Sequence, residues 1–255
     1  MAYAIIQKEL RAPDVERLTR AFRTLPNLRD FDAQTAAHGA HGIFLRGLDV
    51  ESASFLQDAL FREGVETVVV KESELPAVPQ ARVVRQMELL PEHLTMYDPM
   101  RRAFTVPWHD LLFIAAGKVR VQEFYRSKAA HDARPVPIPG AAPRPGADRN
   151  SWREWSYHLM LDIVLRDAMT RYSIDANAFV FDYAGTEPTQ DTPTNFALLV
   201  QDLAKSAPHA GLNRGAVLFC KQAEEVFTYP SRAAFFDEIT WMLWRIGKSA
   251  RREEI

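Results

Sequence analysis

Residues 97–124 read YDPMRRAFTVPWHDLLFIAAGKVRVQEF, and the reading of this stretch decides the fold. Asp98-Pro99 favours a chain reversal. AFTVPW, LLFIAAG and KVRVQEF then alternate apolar and polar residues with the period of strands. Gly117 falls between the last two, where a hairpin turn is expected. Two readings compete: an active site around His109 and Asp110, or a β-scaffold. Neighbouring side chains of a strand point to opposite faces, so His109 and Asp110 would not meet there. No nucleophile motif of the GxSxG kind accompanies them. Pro107 suits a strand start, Trp108 a core position and Asp110 a bond to nearby backbone. The stretch therefore reads as scaffold, and a hydrolase built on His109 ranks last among the functions considered.

Further along, KAAHDARPVPIPGAAPRPGADRN at 128–150 has too many prolines and small residues to bury itself, and reads as an insertion between strands. HLMLDIVLRD, TRYSIDA and AFVFDYAG resume the alternation. Leu159, Leu161, Ile163 and Leu165 share one face, and Met160, Asp162, Val164 and Arg166 the other. PTNFALLVQDLAKSAPHAG is expected to be a helix with Phe196, Leu199, Val200 and Leu203 inward. GAVLFC is a short apolar run, and 231–248 forms a last helix opened by Ser231.

Towards the N-terminus, ELPAVPQ at 74–80 reads as a linker between a domain at 1–79 and one at 80–255. YAIIQKEL and GIFLRGL are strand-like, and VETVVVK is a β-branched strand. Two helices lie between them. In the first, Pro13 suits the opening turn and Val15, Leu18, Phe22 and Leu25 make the stripe. In the second, Asp49 is the N-cap and Gly64 the C-cap. A further strand within 30–37 would complete a βαββαβ, ferredoxin-like order.

The 255 residues are 47% hydrophobic and 25% charged with a net charge of −2. That balance suits a chain with a sizeable core and speaks against a dedicated nucleic-acid binder. The single cysteine, Cys220, excludes an intrachain disulfide and a cysteine-rich zinc site, and it ends an apolar run where an inert thiol is expected. No apolar stretch reaches the roughly 18–20 residues of a membrane span. The opening residues lack a basic segment leading into an apolar one. The cytoplasm is the expected compartment.

Chemistry-bearing motifs are sparse. His38 and His41 have a metal-compatible spacing without further ligands, and read as a polar loop. Asp162, Asp167, Asp175 and Asp182 read as solvated. Glycines are too scattered for a phosphate cradle. No cofactor, metal or catalytic set is therefore expected. Arg101 and Arg102 at a turn, with Lys118 and Arg120 on the next strands, could form a basic rim for phosphate or an acidic peptide. Arg126 and Lys128 extend the same run of cations. On the last helix Trp241 and Trp244 fall outside the apolar arc, which marks them as interface residues towards the other domain, a second copy or a partner. Lys248, Arg251 and Arg252 make peripheral membrane contact conceivable, ranked below packing.

Tyr97-Asp98, Val106-Pro107-Trp108, Leu111-Leu112 and Gly117, within LTMYDPMRRAFTVPWHDLLFIAAGKV, resemble the opening strands of bacterial pleckstrin-homology-like domains. The likeness spans about residues 82–210, interrupted by the proline-rich segment. It implies an antiparallel β-barrel or sandwich closed by the helix near residue 200. The first domain is similar, more weakly, to small prokaryotic signal-transducing domains. The fold expected is thus α+β: a ferredoxin-like domain, then a pleckstrin-like β-domain with a C-terminal helix. The function expected is that of a non-enzymatic binding or regulatory module for a protein, a peptide or an anionic headgroup, with self-association through the last helix as another route. A small-molecule sensor working through the N-terminal domain near Gly39–Gly42 is the alternative.

Overall fold

A computed structural model describes residues 1–11, 14–38, 41–126, 151–182, 191–223 and 226–253. The chain is a mixed α+β structure, and among the described residues its sheets all remain open. Its first half runs β1 (Tyr3–Gln7), α1 (Val15–Phe22), α2 (Asp30–His38), β2 (Ile43–Leu48), α3 (Val50–Arg62) and β3 (Thr67–Lys71). The Asp14 carboxylate accepts the amides of Glu16 and Arg17, and Asp49 accepts that of Ser52, so both helices start on capped turns.

The segment expected as a strand within 30–37 is helix α2. Its buried positions are Ala33, Ala36 and Ala37, which fit closely against α1 but carry too little apolar surface to mark a stripe. The α1–α2 hairpin returns the chain so that β2 lies antiparallel to β1, and β3 flanks β1 on its other side. The sheet therefore has three strands in the order β2-β1-β3, and the βαββαβ order is replaced by β-α-α-β-α-β.

The second half contains β4 (Ala81–Val83), β5 (Gln86–Leu89), β6 (His93–Tyr97), β7 (Ala103–Pro107), β8 (Leu111–Arg126), β9 (Ser151–Leu165), β10 (Arg171–Asp175), α4 (Thr192–Ser206), β11 (Gly211–Leu212), α5 (Arg214–Cys220), β12 (Thr228–Tyr229) and α6 (Arg232–Glu253). β5-β6-β7 form a small antiparallel sheet. β11-β8-β9-β10-β4 form a larger one, with β12 also on β8. Neither closes into the barrel expected from the pleckstrin likeness. The GAVLFC run is helix α5, capped by the Asn213 side chain on the Ala216 amide. The segment at 128–150 lies outside the described residues.

Gly117 does not turn the chain. β8 continues through it for 16 residues, paired with β9 from Leu111–Leu165 to Arg126–Ser151. Its lack of a side chain serves packing instead, since a Cβ there would stand 2.3 Å from Cε2 of Tyr229. Gly215 plays the same part for α5, where a Cβ would meet the Ala116 carbonyl oxygen at 1.9 Å. Trp108 is a core residue as its size suggests, and its indole N–H donates to the Leu90 carbonyl at 2.8 Å.

Helix α6 organises the layers. Ala4, Ile6, Ile43 and Val70 of the first sheet and Phe113, Val119, Met160 and Val164 of the larger sheet pack with Phe235, Ile239, Met242 and Leu243 of α6 in one cluster. Helices α1–α3 cover the far face of the first sheet. Helices α4 and α5, with the small sheet, cover the far face of the larger one.

Candidate functional site

Of the residues singled out for a basic rim, Lys118 and Arg120 share one face of β8. Across the ladder lie Tyr157 and Trp155 of β9, one register step along. Lys118 Nζ sits 4.7 Å from the Tyr157 ring centre and Arg120 Cζ 4.2 Å from that of Trp155. Both rings stay about half exposed, at 52% and 50%. The result is a ladder of two cations, each lying over an aromatic plane that faces solvent. Beside it opens a cleft of about 560 Å³, lined by Phe31, Gln34 and Thr35 of α2, by Thr228 and Pro230, and by Arg120 and Tyr157.

Arg101 and Arg102 belong elsewhere, in the β6–β7 turn of the small sheet. Asp98 accepts the amides of Met100 and Arg102 and the Arg102 Nε–H. Burial works to raise this carboxyl, but the Arg102 contacts outweigh it and hold it below the usual carboxylate range. Arg101 has a φ of 61°, which places it in the left-handed region that a tight turn requires. These two arginines shape a turn on one sheet, and Lys118 and Arg120 line a face of another. The side chain of Arg126 and the whole of Lys128 lie outside the described residues.

His109 and Asp110 lie in a single 3₁₀ turn, which brings Nε2 within 3.5 Å of Asp110 Oδ1 although the residues are adjacent. That imidazole is 80% exposed. Trp241 packs inward: its indole N–H donates to the Gln7 carbonyl at 2.7 Å, and its ring fills the notch above Gly42. Gly42, with a φ of +94°, could not carry a Cβ without striking that ring at 2.3 Å. The Gly39–Gly42 neighbourhood proposed for a small ligand is therefore occupied, at its Gly42 end, by Trp241. Trp244 is half-buried at a groove of about 590 Å³ shared with Tyr3, Val69 and Lys71. Cys220 is half-buried, and burial pushes its thiol up.

A buried polar hub that no motif announces joins α6 to the loop before β2. Glu238, with no exposed surface, accepts the Tyr229 hydroxyl at 2.8 Å, the Arg214 amide at 3.0 Å and Arg214 Nη2 at 3.2 Å. Asn213 donates to the Tyr229 oxygen and the Ala116 carbonyl, and its Oδ1 accepts the amides of Ala116 and Ala216. His41, 1% exposed, is not part of a polar loop but receives Arg214 Nη2 on Nδ1 at 2.9 Å. That bond makes Nδ1 the acceptor and leaves the proton on Nε2, which has no partner among the described residues. Burial first, and the Arg214 cation second, hold His41 down to about 3, so it is neutral despite standing 3.9 Å from Glu238. One signal was available: Glu238 sits three residues after Phe235 and four before Met242, on the apolar stripe itself.

Asp162 is likewise buried and not solvated. It pairs with Arg171, whose Nε–H also reaches the Pro79 carbonyl. Desolvation raises the Asp162 carboxyl against the pull of Arg171. Among the described residues, no cluster of three or more metal-ligating side chains occurs, and no helix is long and apolar enough to cross a membrane.

Comparison of the chain with family models, with curated proteins and with solved structures finds no match.

Proposed function

We propose that this protein is a binding module that takes an acidic, extended segment of a partner protein across the outer face of the β8–β9 arm. The observation that carries this is the paired stacking of Lys118 on Tyr157 and Arg120 on Trp155. A cation resting on a ring is held in place before any ligand arrives, while its remaining N–H donors stay available for carboxylates. The exposed flanks of the rings offer apolar area at low entropic cost. The open shape of the face and its cleft suits a chain laid along it better than a compact headgroup needing an enclosed cradle. A pleckstrin-like likeness of residues 82–210 also implies a binding role, although the sheets here stay open.

The test uses fluorescence anisotropy with a labelled Asp- and Glu-rich peptide containing one aromatic residue, a neutral peptide of equal length, and vesicles with or without anionic lipid. The acidic peptide is expected to bind, to weaken with added salt, and to lose about tenfold in affinity with Arg120→Glu, equivalent to 1.4 kcal/mol. Equal binding of both peptides, or binding of anionic vesicles with no binding of the acidic peptide, overturns the proposal.

A further inference from the structure

Along the α6-facing side of β9, beyond the Asp162–Arg171 pair, three side chains meet that no sequence motif joined. His158 Nδ1 lies 2.7 Å from Asp175 Oδ2, and His158 Nε2 lies 3.0 Å from Ser156 Oγ. Ser156 and His158 are two apart on one strand and so share a face. Asp175 arrives from β10, where it pairs with Met160, diagonally across from His158. A carboxylate only accepts, so Nδ1 carries the proton and the neutral ring presents Nε2 as acceptor to the serine hydroxyl. The Asn177 amide fixes the other oxygen, Asp175 Oδ1. Each member thus has the partner it needs to orient the next.

We propose that Ser156, His158 and Asp175 form a nucleophile–base–acid relay able to hydrolyse carboxylic esters with small apolar acyl groups. This goes beyond the binding role and does not rest on it, because Lys118 and Arg120 occupy the opposite face of the same hairpin. Ser156 Oγ attacks the ester carbonyl while its proton passes to His158 Nε2. The C–O bond then breaks and the alcohol leaves with that proton. Water, deprotonated by the same nitrogen, adds to the acyl-serine and releases the acid, restoring Ser156. Asp175 holds the ring and steadies its transient charge.

Two further features suit this chemistry. The Leu165 amide bonds to Thr170 on the β10 side and the Arg166 amide to Asp110 near β8. Odd-numbered amides of β9 therefore point towards β10. The Tyr157 amide, next to the nucleophile, points the same way beyond the last β9–β10 pair at Met160–Asp175, where an oxyanion could accept it. Across the ladder, Ser156 faces Val121, a half-buried apolar floor for the acyl group. The His158 side chain retains 13% exposure and Asp175 29%, so the relay is reachable from solvent.

The test treats the whole protein with a fluorophosphonate probe, followed by intact mass and peptide mapping, and with p-nitrophenyl butyrate. A single adduct on Ser156 is expected. It is absent in Ser156→Ala, and labelling slows about 10²–10⁴-fold in His158→Asn. The rate should rise with pH as the imidazole loses its proton, and Lys205→Ala, at an exposed position of α4, should leave it unchanged. Ser156→Ala keeps the His158–Asp175 pair, so it remains informative if His158→Asn fails to fold. No adduct under conditions that fully label a serine hydrolase, an adduct on another residue, or unchanged ester turnover in Ser156→Ala overturns the proposal.

Discussion

Removing the Glu238 carboxylate tests whether the hub between α6 and the N-terminal half is a fixed structural joint. Glu238→Ala deletes the acceptor of the Tyr229 hydroxyl and of three donors on Arg214, inside a region with no solvent at the carboxylate. Losing one member of a buried ion pair costs about 3–5 kcal/mol. Arg214 keeps 24% exposure and its contacts with His41 and the Phe227 ring, so the lower end, about 3 kcal/mol, is expected. For a chain of this size that corresponds to a fall of roughly 6–12 °C in Tm. Tyr229→Phe removes one donor to Glu238 and one acceptor for Asn213, at about 1–2 kcal/mol. Because both changes break the Tyr229–Glu238 bond, the double variant should fall short of their sum by about 1 kcal/mol. Urea unfolding at matched m-values measures all three variants. A loss under about 1 kcal/mol for Glu238→Ala, or strict additivity in the double variant, would refute a cooperative hub.

Three further outcomes follow from neighbouring contacts. His41 takes up protons at about 3 when folded, against 6.5 in its ordinary state. The unfolded chain therefore binds the extra proton first, so the stability tied to a neutral His41 is complete above pH 6.5 and lost as pH falls towards 3. His41→Phe should flatten that part of the stability–pH curve in urea titrations, and an unchanged slope would contradict the assignment. Gly117→Ala should lower stability by about 1–3 kcal/mol through overpacking on Tyr229, and a Tyr229→Leu background should recover part of it; a neutral Gly117→Ala would mean that the ring does not press there. Trp241→Ala should cost about 3–5 kcal/mol and speed amide exchange in β1 ahead of β9, whereas uniform acceleration across both sheets would argue against local loosening.

What could be read beforehand follows the apolar surface each element buries. Helices α1 and α3 announced themselves because Leu18 and Phe22, or Leu56 and Leu60, stand at helical spacing, the second set behind the capping Asp49. Helix α2 did not, since alanines supply its buried face and its aspartates suit a turn equally well. Gly117 was misread because a glycine between alternating runs signals a turn, and only the approach of Tyr229, 112 positions later in the chain, explains it otherwise. Asp162 looked solvated for the same reason: its partner Arg171 reaches it across the β9–β10 ladder, which the order of residues does not display. The basic rim divided in the same way. Lys118 and Arg120 share a strand face, but Arg101 and Arg102 were joined to them only by proximity in the chain. The Ser156–His158–Asp175 array needs a β9–β10 register that alternation alone leaves open.

The polar hub also explains how α6 settles between two sheets. An apolar stripe alone would tolerate sliding the helix by a turn, because Phe235, Ile239, Met242 and Ile246 repeat every three or four residues. Such a slip would carry Glu238 away from Arg214 and Tyr229 and leave a buried carboxylate without donors, a cost of several kcal/mol. It would also withdraw the Trp241 indole from the Gln7 carbonyl and from the notch over Gly42, contacts spanning more than 190 positions of chain. Hydrophobic burial thus holds α6 in its layer. The hub and the Trp241–Gly42 fit select its register, and with it the placement of the N-terminal sheet against the strands that carry Lys118, Arg120, Ser156 and His158.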